Sequence, residues 1–134
     1  MSIPDAAAQL VNHPKAHATV ITTNPSGTPQ VTLVWAEVAD GVLSFNTAAG
    51  RQKERNIRRN SHVAVSVQDP ENPRQYAVFE GTATITEEGS DEQIDRLAKK
   101  YLGLDSYPQR STSEQRVRVN IEVERITGMG PWVG

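Results

Sequence analysis

Five cations stand within nine residues of one basic segment, the sequence RQKERNIRR at positions 51–59, which contains a single acid, Glu54. The segment follows a β-rich run and begins a predicted helix, where free backbone N–H groups and the helix dipole favour an anion. Arg51 and Lys53 fall in the first turn and add formal charge at that point. These residues therefore predict a site for a small anion such as a phosphate group.

The other polar residues of this helix allow a second interpretation. Helical spacing divides them between two faces, Arg51, Arg55, Arg58 and Arg59 on one and Lys53, Asn56 and Asn60 on the other. Two faces could bind two anionic parts of one ligand. A run of Arg and Lys on an exposed helix is more often a solvated face, however, and spacing alone favours that simpler interpretation.

Other kinds of chemistry find little support in the sequence. The chain has no cysteine, and its three histidines lie on separate elements without metal-ligand spacing, so we predict no metal site. No nucleophile elbow and no glycine-rich phosphate loop is present. The formal charge of −2 argues against nucleic-acid binding, which needs many cations. No apolar run is long enough for a membrane span or a signal peptide, which predicts a cytoplasmic protein.

Hydrophobic periodicity predicts a chain made mostly of strands. Six strands are expected at 16–23, 30–37, 42–47, 62–69, 75–86 and 117–127, with helices at 4–12, from about 50, and at 90–103. Gly81 predicts a bulge inside the fifth strand, and Ile57 is the expected core residue of the basic helix. Ser90 and Gln93 predict a capping box at the start of the last helix.

This order of elements predicts a mainly β fold. Helices do not follow each strand in turn, so a small antiparallel barrel is expected rather than a doubly wound sheet. The 134 residues contain no linker and fit a single domain, 1–134. The strand before the basic helix and the helix start itself would then lie on the same domain.

Three motifs in order carry a family resemblance: GTPQVTLVW at 27–35, RQKERNIRR at 51–59 and YAVFEGTA at 76–83. Their order and separation resemble the pyridoxamine-phosphate-oxidase-like split-barrel superfamily. More narrowly, they resemble the deazaflavin-dependent reductases of its B class, the short actinobacterial type that uses coenzyme F420. The resemblance spans nearly the whole chain, and it implies a homodimer of six-stranded antiparallel split β-barrels with cofactor sites at the interface.

The resemblance also implies which residues bind the cofactor. The strand beside the ring contributes Gln30, Thr32, Val34 and Trp35, and the next strand end brings Asn46 and Thr47 to the ribityl chain. Arg51 and Lys53 match the phosphate-binding pair, Arg55 and Asn56 lie where further tail contacts are expected, and Tyr76 and Trp132 match positions that reach the site from the other subunit. Catalytic residues are not implied, because the ring carries the hydride chemistry.

The implied activity is that of an oxidoreductase that transfers hydride from reduced F420 to a conjugated organic acceptor such as an enone, a quinone-like molecule or a tetrapyrrole. The phosphodiester and polyglutamate tail of F420 need more positive charge than the single phosphate of FMN, which would give Arg58 and Arg59 a use. An FMN-dependent oxidoreductase and a non-catalytic F420 carrier are the alternatives. The C-terminal Arg-x-His motif of true pyridoxamine-phosphate oxidases is missing, which disfavours vitamin B6 oxidation.

Overall fold

One seven-stranded antiparallel sheet makes up most of the protein in the computed structural model, which describes residues 1–133. The strands are β1 Ala18–Thr23, β2 Pro29–Val34, β3 Ala36–Ala39, β4 Val42–Ala48, β5 His62–Gln68, β6 Tyr76–Thr86 and β7 Arg116–Met129, in the sheet order β2-β1-β5-β6-β7-β4-β3. The helices are α1 Asp5–Asn12, α2 Gln52–Arg59 and α3 Ser90–Leu102. Within residues 1–133, no helix is long and apolar enough to cross a lipid bilayer. The predicted mainly β, antiparallel fold is confirmed.

The predicted count of six strands is wrong, because the expected strand 30–37 is two strands that meet at Trp35. On one side of this residue Val34 pairs with Ala18 of β1, and on the other side Ala36 pairs with Phe45 of β4. β2 and β3 are the two edge strands of the sheet, at its opposite ends. The sheet must therefore curl into a half-barrel whose edges meet at Trp35. A pattern of apolar residues does not reveal a change of partner strand.

Alternate side chains of the central strands build the core on the concave side of the sheet. Val20 of β1 pairs with Val65 of β5, which pairs with Phe79 of β6, and all three are buried. Leu10 and Val11 of α1 belong to the same buried cluster. The same cluster takes in Phe45 of β4 and Val119 of β7, so the core runs across the whole curled sheet beneath α1.

Helix α2 is held to the sheet by one apolar and one polar side chain. Ile57 is buried in the core cluster, as predicted. Asn56 is fully buried and donates hydrogen bonds to Thr22 Oγ1 at 3.0 Å and Asn24 Oδ1 at 3.1 Å, and it accepts one from Gln52 at 2.7 Å. Asn56 thus fixes α2 against the β1–β2 hairpin, which sets the position of the first helical turn.

The capping box predicted for α3 does not form. Gly89, with a positive φ of 74°, is the residue before the helix, and no side chain caps the helix start. Gln93 instead turns inward and donates to Ser44 Oγ at 2.7 Å and to Glu37 at 3.1 Å. Two acceptors on other strands satisfy the amide of Gln93, so it is not free to cap its own helix.

The predicted bulge at Gly81 is confirmed. The register between β6 and β7 shifts between Glu80 and Gly81. A side chain on Gly81 would have no room, because its Cβ would lie 2.0 Å from the backbone oxygen of Glu122 in the neighbouring strand. Glycine is therefore required for the close approach of two backbones at this bend.

We expect Gly81→Ala to lower the free energy of unfolding by roughly 3 kcal/mol, because the two strands must separate to admit the methyl group. Thr84→Ala, an exposed change on the same strand, should stay within about 0.5 kcal/mol of the original chain. Urea denaturation of both variants measures the difference. Equal midpoints for the two variants would show that the strands can part without cost.

Candidate functional site

A cleft of about 230 Å³ opens where the two edges of the curled sheet meet. Its lining comes from β2, the break at Trp35, β4, α2, α3 and the loop before β7. The lining residues are His17, Leu33, Val34, Trp35, Asn46, Thr47, Arg51, Lys53, Ile94, Tyr107, Gln109 and Arg116. One end of this cleft is cationic and the other is aromatic and apolar.

Three cations line the cationic end: Arg51, Lys53 and Arg116. Lys53 and Arg116 are only 9% and 7% exposed. Burial, followed by the charges of Arg51 and Arg116, lowers the pKa of the Lys53 ammonium from its ordinary value. In residues 1–133 this ammonium has no hydrogen-bond or ion-pair partner. An unpaired ammonium on a mostly buried side chain, beside two guanidinium groups, is the arrangement that an anion stabilises.

A buried hydrogen-bond network fixes Arg116 in this cleft. Its Nε donates to Asn46 Oδ1 at 2.8 Å, and its Nη1 donates to Glu114 at 2.6 Å. The Asn46 amide nitrogen in turn donates to the backbone oxygen of Ser90 at 2.8 Å and to Gln93 at 3.2 Å. Asn46 therefore orients Arg116, and its own amide is already engaged by protein groups on both atoms.

Thr47 presents an unsatisfied hydroxyl group in the same cleft. Its Oγ1 is buried and has no hydrogen-bond partner within the described part of the chain. An unpaired buried hydroxyl costs about 1–3 kcal/mol, so a ligand oxygen bound here would be favoured. Thr47 and Lys53 thus bring a neutral and a charged donor to the lining of the same cleft.

Aromatic side chains form the opposite end of the cleft. The Trp35 ring stacks on Tyr101 with a centroid distance of 5.2 Å and an interplanar angle of 11°, and Tyr107 meets it edge-on at 5.9 Å. Val34 and Ile94 add aliphatic surface to the lining. This end offers an apolar slot of the kind that planar ring systems occupy.

Lys100 and Tyr101 of α3 hold the chain at the strand break. The Lys100 ammonium donates to the backbone oxygens of Val11 at 2.6 Å and Ala36 at 3.0 Å. Burial lowers the pKa of Lys100 to about 8, and the charge of Glu37 opposes that shift. The Tyr101 hydroxyl accepts the Ala36 N–H at 3.3 Å. These bonds keep Trp35, and with it the mouth of the cleft, in place.

Six of the twelve predicted site residues meet in this cleft: Val34, Trp35, Asn46, Thr47, Arg51 and Lys53. The other six lie outside its lining: Gln30, Thr32, Arg55, Asn56, Tyr76 and Trp132. Thr32 has a second unsatisfied buried hydroxyl. Gln30 accepts a hydrogen bond from Thr22 at 3.0 Å, and Trp132 donates its Nε1–H to the backbone oxygen of Tyr76 at 2.9 Å.

The remaining cations of α2 are engaged by the protein itself. Arg58 pairs with Glu54 at 2.7 Å, and Arg55 donates to the backbone oxygen of Gly50 at 2.7 Å. Arg59 donates to the backbone oxygen of Thr23. The basic segment is therefore divided, with Arg51 and Lys53 in the cleft and the other arginines along the helix surface.

The sequence did not predict Arg116 and Tyr107, which line the cleft, or Glu114, which bonds to Arg51 and Arg116 at its edge. Tyr107 and Glu114 lie in a polar stretch between α3 and β7 that has no periodicity. Arg116 immediately precedes the predicted last strand and pairs with Ala48, next to Thr47. Knowing that β4 pairs with β7 would have placed Arg116 in the site.

The fold and the site together define a mainly β protein whose sheet curls into a half-barrel, with a cleft that is cationic at one end and aromatic at the other. A family model described as pyridoxamine 5'-phosphate oxidase matches residues 3–130. The chain therefore belongs to the pyridoxamine 5'-phosphate oxidase family, and the resemblance found from the sequence motifs is confirmed.

Solved structures give the same result. An F420 reductase has a TM-score of 0.81 and 28% identity, covering 93% of this chain and 98% of that one. A conserved hypothetical protein of Mycobacterium tuberculosis has a TM-score of 0.72 and 28% identity, covering 93% and 83%. The HupZ protein of Group A Streptococcus, at 24% identity and a TM-score of 0.69 over 98% and 96%, shows the shared fold alone. No curated protein matches the sequence.

We expect Lys53→Met to raise the free energy of unfolding by about 1 kcal/mol in phosphate-free buffer at pH 7, because it removes a buried charge beside two like charges. The pKa of Lys53 is lowered in the folded chain, so the unfolded chain binds more protons between that value and about 10.5. The gain should therefore be full at neutral pH and shrink as pH rises through this window.

Urea denaturation at several pH values measures the gain. Lys15→Met, a change at an exposed lysine outside the cleft, is the matched control and should leave stability unchanged. A loss of stability in Lys53→Met would mean that protein groups stabilise the ammonium.

Proposed function

We propose that the chain is an oxidoreductase that binds coenzyme F420 and uses its reduced ring to deliver hydride to a conjugated organic acceptor. The main observation behind this proposal is the unpaired ammonium of the mostly buried Lys53 side chain, in a cleft that also contains Arg51 and an apolar slot. An enone, a quinone-like molecule and a tetrapyrrole all belong to the acceptor class. The similarity to an F420 reductase over most of both chains supports the choice of cofactor.

The chain's own residues bind and orient the cofactor. Lys53 and Thr47 offer an ammonium and a hydroxyl to a phosphate oxygen, and Arg51 adds a guanidinium at the rim. Trp35 and Val34 supply the apolar surface beside which a ring is shielded from water. The protein's contribution to catalysis is then orientation and exclusion of water, and the proton for the acceptor comes from solvent.

FMN in place of F420 is the second candidate. The Lys53 ammonium, Arg51 and the apolar slot also fit the single phosphate monoester and the ring of FMN. Proteins with this fold use either cofactor. A third candidate is a carrier that binds F420 without turning it over. Substrate reduction separates the carrier from the enzyme, and the identity of the bound cofactor separates the first two candidates.

We expect Arg51→Ala and Lys53→Ala each to weaken F420 binding by at least about tenfold, because each removes a charge-assisted hydrogen bond to phosphate. The salt dependence of binding should also become flatter. Titration of the purified chain with F420 and with FMN, followed by fluorescence quenching, measures both effects. Arg74→Ala, at an exposed residue outside the cleft, is the control for loss of one positive charge.

Three outcomes decide among the candidates. Unchanged titration in both variants would rule out the site. Yellow protein that releases FMN, with tighter binding of FMN than of F420, would favour the flavin enzyme. Tight F420 binding with no reoxidation of the reduced form across a panel of enones, quinones and tetrapyrroles would favour the carrier.

We further propose that the chain forms a homodimer through the outer face of its sheet. Four large apolar side chains on this face are exposed: Val31 by 59%, Leu33 by 71%, Tyr76 by 42% and Met129 by 58%. The strand registers align Leu33 through β1 and β5 with Val78 and Thr127, the row next to that of Tyr76 and Met129 on β6 and β7. Leu33 also lines the cleft, so a second copy on this face would cover the cleft mouth.

We expect Val31→Lys to weaken self-association by at least tenfold, because it places a charge on the apolar face beside Leu33. Val42→Lys, an equally sized change at an exposed valine of β4, should leave association unchanged. Sedimentation equilibrium over a range of concentrations measures both. The proposed face is wrong if the two variants associate alike.

A further inference from the structure

The carboxylate of Glu114 accepts hydrogen bonds from two of the cations that line the cleft. Its Oε2 accepts a hydrogen bond from Arg51 Nη2 at 3.1 Å, and its Oε1 accepts one from Arg116 Nη1 at 2.6 Å. The two guanidinium groups thus meet on one carboxylate at the edge of the cleft. Lys53, in the same lining, has no such partner among the described residues.

Arg116 does not depend on Glu114 for its position. Asn46 holds its Nε, and its guanidinium lies over the Tyr107 ring with a distance of 5.3 Å to the centroid. Glu114, by contrast, belongs to the loop between α3 and β7, and in residues 1–133 its carboxylate bonds only to the two arginines. Rotation of Glu114 would leave Arg116 oriented, and it would release the Arg51 guanidinium, whose only bond in residues 1–133 is to Glu114.

We propose that Arg51 and Arg116 form a carboxylate subsite that Glu114 fills until an acidic group of the ligand displaces it. The ligand class is a molecule whose phosphoryl group occupies Lys53 and Thr47 and whose second acidic group, a carboxylate or another phosphoryl, lies a few bonds away. A pair of guanidinium groups can bind a carboxylate or a phosphoryl group, because each of these acidic groups presents two oxygens to the paired N–H donors of a guanidinium. This subsite deepens the proposed function and rests on it for the identity of the ligand.

The charge of Glu114 makes the exchange a competition at neutral pH. The hydrogen bond from Arg116 is the largest influence on Glu114, and with the hydrogen bond from Arg51 and both charges it lowers the pKa of the carboxyl below its ordinary value. Protonation therefore does not release the arginines in the neutral range. A ligand with one anionic group gains only the Lys53 end, whereas a ligand with two gains both ends.

The test is Glu114→Gln in the full chain, with inorganic pyrophosphate and inorganic phosphate as probes that do not depend on a cofactor. Removal of the competing charge should tighten pyrophosphate binding by about three- to tenfold, with a smaller change for phosphate. Glu71→Gln changes the net charge equally at an exposed position outside the cleft and should have no effect. Calorimetric titration measures each dissociation constant, and F420 and FMN are titrated in parallel.

Each result bears on a different claim. Unchanged or weaker pyrophosphate binding in Glu114→Gln would overturn the subsite, since Glu114 would then be a support for the arginines. Tighter pyrophosphate binding with no F420 binding by any variant would support the subsite and overturn the proposed cofactor. F420 binding that Glu114→Gln leaves unchanged would support the cofactor and overturn the subsite. Glu114→Ala should act in the same direction as Glu114→Gln, which guards against an effect of the new amide.

Discussion

The passage of the chain from one edge of the sheet to the other through the single residue Trp35 is the constraint on which this structure depends. Because Val34 and Ala36 belong to opposite edges, the sheet has to curl until those edges meet. The meeting point needs polar partners for the interrupted strand, and Lys100 and Tyr101 supply them. The same curl brings the end of β4 and the start of α2 next to Trp35, so the cleft follows from the strand break.

The charges that line the cleft lower the stability of the folded protein. Three cations line it, and the only acid joined to them in residues 1–133 is Glu114, which bonds to the arginines and leaves Lys53 alone. Like charges in a partly buried site oppose folding, and Asn46 with its bonds to Ser90 and Gln93 keeps Arg116 from moving away. The protein thus holds like charges together at a cost in folding stability, which is typical of sites that bind a ligand of opposite charge.

Local patterns in the sequence predicted the local features of this fold. Strand alternation, the glycine bulge at Gly81 and the core role of Ile57 each depend on one segment, and each is confirmed. The number of strands and the capping box depend on distant partners, which a single segment does not contain. The sequence around Trp35 has the pattern of one continuous strand, although the chain changes partner strand there. The position of Gln93 predicts a helix cap, although Ser44 and Glu37 lie beside its side chain and accept its hydrogen bonds.

The residues of the site are likewise divided between a local segment and a distant one, and their charge balance indicates the class of ligand. Arg51 and Lys53 were predicted because they share one helix start, whereas Arg116 and Glu114 come from a distant segment. With Glu114 in place, the cleft has an excess of two positive charges, which suits one phosphate monoester. With Glu114 displaced, the excess is three, which suits a phosphodiester linked to carboxylates. In the exchange that we propose, this single glutamate would separate a flavin-like ligand from one with a longer acidic tail.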